Sequence, residues 1–104
     1  MIPVFILTRA MQRLDEIYDY IFQFNETAAA RVYNEILDRM EILEKFPRIA
    51  PVEQQLADCG KEFRSLVVRN YKVIYYIEEA ENAIYVATVW DCRQNPEKLQ
   101  YEII

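Results

Sequence analysis

The chain has 104 residues, 53% of them apolar, and a formal net charge of −5. That length corresponds to one domain with one modest core, and the apolar share is sufficient to fold without staples. The absence of histidine excludes Ser-His and Cys-His nucleophilic schemes, and an ordinary zinc site cannot be built on Cys59 and Cys92 alone.

Ile2–Leu7 reads as a first strand, with Pro3 tolerable at a strand start or at an edge. Thr8 is placed to cap the helix that follows. From Arg9 to about Phe24, Ala10, Leu14, Ile17, Tyr18 and Ile21 recur at helical spacing, with Arg13, Asp15, Glu16 and Asp19 on the other face. Asn25 breaks that pattern and can cap a second helix, Glu26 to about Phe46. Its apolar stripe is Ala29, Tyr33, Ile36, Leu37, Met40 and Leu43. Two amphipathic helices joined so briefly are expected to pack as an antiparallel hairpin.

Phe46-Pro47 ends the helical part, because a residue before proline is pushed out of the helical region. Residues 47–61 read as a loop punctuated by Pro47, Pro51, Asp58 and Gly60. The period then becomes strand-like. Phe63–Val68, Tyr71–Glu78 and Ala83–Trp90 are rich in Val, Ile, Tyr and Phe, and short links join them into an antiparallel meander. The expected class is α+β: the order β-α-α-β-β-β, an antiparallel-rich small sheet, and the helical hairpin packed on one face.

In the middle strand Tyr71, Val73, Tyr75 and Ile77 alternate with Lys72, Ile74, Tyr76 and Glu78. In the last strand Ile84, Val86, Thr88 and Trp90 are expected to alternate with Tyr85, Ala87, Val89 and Asp91. Both faces are fairly apolar. The face turned away from the helices needs a cover, whether the C-terminal tail, a partner or a substrate.

No stretch is long enough to span a membrane, and MIPVFIL is short and lacks a basic leader, so a cytoplasmic protein is expected. In that compartment the two cysteines are not expected to form a structural disulfide. Charge is uneven. Residues 61–76 carry Lys61, Arg64, Arg69 and Lys72 against Glu62 alone, while residues 9–45 hold five bases and eight acids. The acidic balance disfavours non-specific nucleic-acid binding over the whole surface and leaves room for a basic cleft.

Three stretches in this order, "FPRIA" after the second helix, "FRSLVVRNYKVIYYI" across two strands and "VWDCRQNPEKL" at the end of the third, resemble the RelE/ParE superfamily of toxins. These are the toxin halves of type II toxin–antitoxin modules, some named plasmid stabilisation proteins. "LTRAMQRLDEIYDYI" is similar to the family's first helix, and the resemblance covers nearly the whole chain. It implies that residues 1–104 are a single toxin domain, growth-inhibiting and neutralised by a cognate antitoxin, with no cofactor or metal.

Two activities follow from the resemblance. A ParE-type toxin binds a protein target such as DNA gyrase and is not an enzyme. A RelE-type toxin is a metal-free, ribosome-dependent mRNA endoribonuclease. For the second, Arg64, Lys72 and Arg93 match positions at which the family carries bases. Arg64 would clamp phosphate, and Lys72 would keep the charge of the usual arginine without its fork. Arg93 would neutralise the phosphorane or assist the leaving group. The strand bearing Arg64 has that single base, and Tyr101 is the only counterpart of the family's late Tyr or His; together with the acidic surface this favours the ParE type. A toxin-like domain that survives only as a binding partner is a third reading.

The bland readings stand beside these. Arg64 could pair with Glu35 or Asp38, Lys72 could be a solvated side chain, and Arg93 could bridge to Asp91 at its own turn. The tyrosines are more often packing groups than stacking platforms. Cys92 is read as a small packed residue.

Overall fold

The computed structural model describes residues 1–103; Ile104, the last residue of the expected domain, lies outside them. Strand β1 (Val4–Ile6) leads into helix α1 (Thr8–Phe22) and helix α2 (Glu26–Ile42). After a loop with one 3-10 turn at Gln54–Leu56 come β2 (Arg64–Val68), β3 (Tyr71–Glu78) and β4 (Ala83–Asp91). A short helix α3 (Leu99–Ile103), entered through a 3-10 turn at Pro96–Lys98, follows β4. The sheet order is β1-β4-β3-β2. The expected meander is present as two antiparallel pairings, and β1 joins it parallel to β4 at the edge.

Local chemistry sets the element ends. Asn25 caps α2, its side chain accepting the Ala28 N–H at 3.0 Å, which satisfies one of the orphan donors of the first turn. Helix α1 stops at Phe22, short of the expected Phe24, because the N–H groups of Phe24 and Asn25 both close onto the Ile21 carbonyl. Helix α2 stops at Ile42. Leu43 and Glu44 close onto carbonyls three residues back, a tightening that accommodates Phe46 before Pro47. Thr8 is not the cap it was expected to be. Leu7 holds that position: its N–H donates to Val86 and its carbonyl accepts from Met11, so strand pairing runs straight into the helix.

The helix-side core joins Ala10 and Leu14 of α1 with Val32, Ile36 and Met40 of α2. Both pack on Leu66, Val68, Tyr71, Val73, Tyr75, Ile84, Val86 and Val89 of the sheet. Burying each large side chain contributes about 1.5–3 kcal/mol. Val32 belongs to this core although the expected stripe passed over it.

The expected alternation along β4 fails at one point. Tyr75 pairs with Val86, but Ile74 pairs with Thr88, so Ala87 is an extra residue, a β-bulge. The strand's sidedness inverts there. Val86 and Val89 face the helices, whereas Thr88 and Trp90 face the other side with Ile74.

That far face has its own small core of Leu56, Phe63, Ile74, Trp90 and Leu99. The loop turn supplies Leu56 and α3 supplies Leu99. Much of the cover the far face needs is therefore the C-terminal tail. Glu102 fastens it, accepting from Arg9 at 2.7 Å, from Arg13 at 2.7 and 2.8 Å, and from the Thr88 hydroxyl at 3.0 Å.

Candidate functional site

The three bases singled out in the sequence lie on or just beyond successive strands, and the pairing geometry separates them. Arg64 is opposite Tyr75, and directly opposed residues share a face. It therefore lies on the helix side, where its Nη1 donates to the Ala50 carbonyl at 2.7 Å and its Nη2 to Glu62 at 3.1 Å. Its side chain is 16% exposed. Lys72 is opposite Trp90 and points to the far face. Arg93 follows the end of β4 in a turn.

Each base is held by a carboxylate. Lys72 Nζ lies 2.7 Å from Glu53 Oε1, and Glu53 also accepts from the Ser65 hydroxyl at 3.0 Å and the Gln55 N–H at 3.2 Å. Glu53 is only 6% exposed. Its burial pushes its carboxyl up, but the bonds from Lys72, Gln55 and Ser65 outweigh that and hold it below the usual carboxylate range. Arg93 folds back on Asp91. Its backbone N–H donates at 2.9 Å, Nε at 3.0 and 3.2 Å, and Nη2 at 2.7 Å. The Arg93 side-chain hydrogen bonds are the main reason that Asp91 is held below its ordinary range.

Of the bland alternatives, the Arg93–Asp91 bridge is present. The Arg64 alternative is not: Glu35 pairs with Arg69 instead, at 2.8 Å, because Arg69 sits in the hairpin beside α2 while Arg64 is at the other end of β2. Lys72 is not merely solvated, since it neutralises a buried acid. Tyr101 lies on α3 and is exposed. Cys92 is exposed rather than packed, and partial burial raises its thiol pKa, which lowers its nucleophilic fraction.

Stabilising a dianionic phosphorane takes donors aimed at one point. Arg64 and Lys72 occupy opposite faces, and the carboxylates beside all three bases cancel the charge that would be needed. Arg93 is the most exposed of the three, its side chain at 61% against 16% for that of Arg64 and 30% for that of Lys72, and its Nη1 makes no hydrogen bond among the described residues. It stands at the rim of a cleft of about 380 Å³ between α1 and the end of the sheet, lined among others by Ile17, Tyr20, Tyr71 and Val89.

A second feature escaped sequence reading. On the far face Phe5, Tyr85 and Tyr76 of β1, β4 and β3, with Phe63 just before β2, form a ladder with centroid spacings of 5.5, 5.5 and 5.6 Å. Lys61 caps Tyr76 with its ammonium 4.7 Å from the ring centroid. Phe5 is exposed and Tyr76 and Tyr85 are half-buried, so α3 leaves this end of the face open. Only the pairing register aligns these rings, and no motif announces it.

The family model of the ParE toxin of type II toxin–antitoxin systems (parDE) matches residues 4–96. No curated protein matches the sequence. A solved structure described as the chromosomal ParDE TA system from P. aeruginosa superposes with a TM-score of 0.72 at 14% identity, over 88% of this chain and 96% of that one. At that identity the likeness establishes the fold. Helix α3 and its Glu102 fastening lie beyond the matched family segment.

Proposed function

The chain belongs to the ParE toxin family of type II toxin–antitoxin systems, and from that premise we propose that it inhibits growth by binding a protein target such as DNA gyrase. Residues 1–104 act as one toxin domain, and a cognate antitoxin silences it. The observation that carries this reading is the state of the three bases. Arg64 and Lys72 lie on opposite faces of the sheet, and Arg64, Lys72 and Arg93 are each neutralised by a neighbouring acid. Metal-free cleavage of mRNA on the ribosome, the alternative, would need those cations unpaired and converging.

The open end of the aromatic ladder supports the antitoxin half of the reading. Exposed rings beside a basic group suit a peptide that orders on binding and buries them. On this reading the antitoxin covers Phe5, Tyr85 and Tyr76.

The test is induction of the chain without antitoxin, followed by two assays on purified protein. Growth arrest, inhibited gyrase supercoiling and intact translated mRNA are expected. Untouched supercoiling at high toxin concentration, together with cut mRNA, would replace this reading by the nuclease one.

A further inference from the structure

The cleft beside Arg93 lies on the helix side of the sheet, away from the aromatic ladder. Its floor is the Tyr71 ring and Val89, and its wall is Ile17 and Tyr20 of α1. Its volume of about 380 Å³ is at the lower end of the roughly 300–1,000 Å³ of ligand clefts. It does not end abruptly. Tyr20 packs edge-to-face on Phe24 at 5.4 Å, and both rings are exposed. The apolar surface therefore continues from the cleft along α1 to the tip of the helical hairpin, a length that suits a chain segment better than a small molecule.

The polar rim has a definite sign of unspent capacity. Asp91 is saturated, with one oxygen taking the Arg93 N–H and Nε and the other taking Nε and Nη2. Both oxygens of Glu16 are engaged by Arg13. Arg13 in turn spends Nε and Nη2 on Glu102. Among the charged groups of the lining, Nη1 of Arg93 makes no hydrogen bond among the described residues, while Nε and Nη2 are held by Asp91. A donor so fixed favours an incoming anionic acceptor, which on a protein partner is a carboxylate.

We propose that this cleft is the toxin's docking site for its protein target, taking a segment that seats a large apolar side chain on Tyr71 and Val89 and brings a carboxylate to Arg93. This rests on the protein-binding reading above and names the surface and the chemistry that reading lacks. Tyr20 and Phe24 receive the continuation of the segment. Arg93 then acts by binding, with Asp91 as the group that positions it.

The test uses the full chain and three variants. Arg93→Gln and Tyr20→Ala alter the cleft, and Arg48→Gln alters a surface pair with Glu79 outside it. Thermal melts first establish that each variant is folded. In growth assays both cleft variants should lose inhibition, while antitoxin still co-purifies with them and Arg48→Gln stays toxic. A second arm needs no toxicity. A capped hexapeptide with Trp flanked by Glu and Asp is titrated into labelled protein and followed by NMR. It should shift signals of Ile17, Tyr20 and Val89, and Arg93→Gln should weaken it at least about tenfold. The same peptide with Lys in place of the acids should not compete. Retained toxicity in both cleft variants overturns the proposal, as does loss of antitoxin binding along with toxicity. So does a peptide that binds Arg93→Gln equally or binds regardless of its charge. A wild-type chain without effect on growth would fell the toxin reading itself and this proposal with it, even with the peptide seated in the cleft.

Discussion

Lys72 and Glu53 meet on the far face of the sheet at 2.7 Å, and the carboxylate oxygen that Lys72 holds also accepts the Ser65 hydroxyl at 3.0 Å. The pair ties the loop after α2 to β2 and β3. Losing the ammonium would leave a buried acid with one hydroxyl and one peptide N–H. Lys72→Ala should therefore cost about 2–3 kcal/mol, below the ~3–5 kcal/mol of a fully buried pair because Lys72 is partly exposed. Urea unfolding measures this as a lowered midpoint at unchanged slope. Adding Glu53→Gln to the same chain should recover more than half of the loss, since an amide is buried at lower cost than a charge.

Acid should destabilise the fold for the same reason. Glu53, Asp91 and Glu102 are all held below the ordinary carboxylate range. A group with a depressed folded pKa contributes stability that is fully present above its unfolded value, roughly 4. That stability is lost as pH falls through the lower folded value. Melting temperatures should be level from pH 7 to about 5 and drop steeply below roughly 4. Glu53→Gln and Glu102→Gln should each flatten that drop. An unchanged acid limb in both variants would mean that other groups control it.

The C-terminal helix offers a spectroscopic test. Glu102 is its fastening to Arg9, Arg13 and Thr88, and Leu99 lies with Trp90 in the far-face core. Trp90 is the only tryptophan, so its emission reports on this one junction. Glu102→Ala should loosen α3, shift Trp90 emission to the red and cost about 1–3 kcal/mol. A fluorescence spectrum identical to wild type would show that Leu99 packing alone keeps the helix docked.

Asn25 is a more local case. Its side chain accepts the Ala28 N–H at 3.0 Å, and it is the side-chain cap of α2 among the described residues. Asn25→Ala should lower stability by about 1 kcal/mol, and Asn25→Ser should restore most of it. Equal melting temperatures for wild type and Asn25→Ala would rule out a contribution from the cap.

Much of the fold was legible because its signals are local. The strand at Tyr71–Glu78 was read at its observed limits, and its two neighbours within a residue at one end, since period-2 patterning and short links are written in neighbouring residues. Helix ends were less legible. Phe24 and residues 43–46 continue the apolar pattern, but hydrogen bonds to earlier carbonyls had already closed the helices. Helix α3 went unread because five residues are too few to establish a period.

The site was legible only as a set of residue types. Arg64, Lys72 and Arg93 could be named from the chain, but their grouping could not. Charge sign and family likeness are properties of the sequence, and they marked a toxin with a thin basic cluster on an acidic body. The tertiary structure decided where each base points and what answers it. Pairing register placed Arg64 and Lys72 on opposite faces. One extra residue at Ala87 turned Val89 and Asp91 toward α1 and Trp90 away from it, because a strand's sidedness inverts with every inserted residue. The partners of the bases range from a residue two positions away to one nineteen positions away. Coulombic and hydrogen-bonding terms act over a few ångströms in space, so only the folded chain could match each cation to its acid.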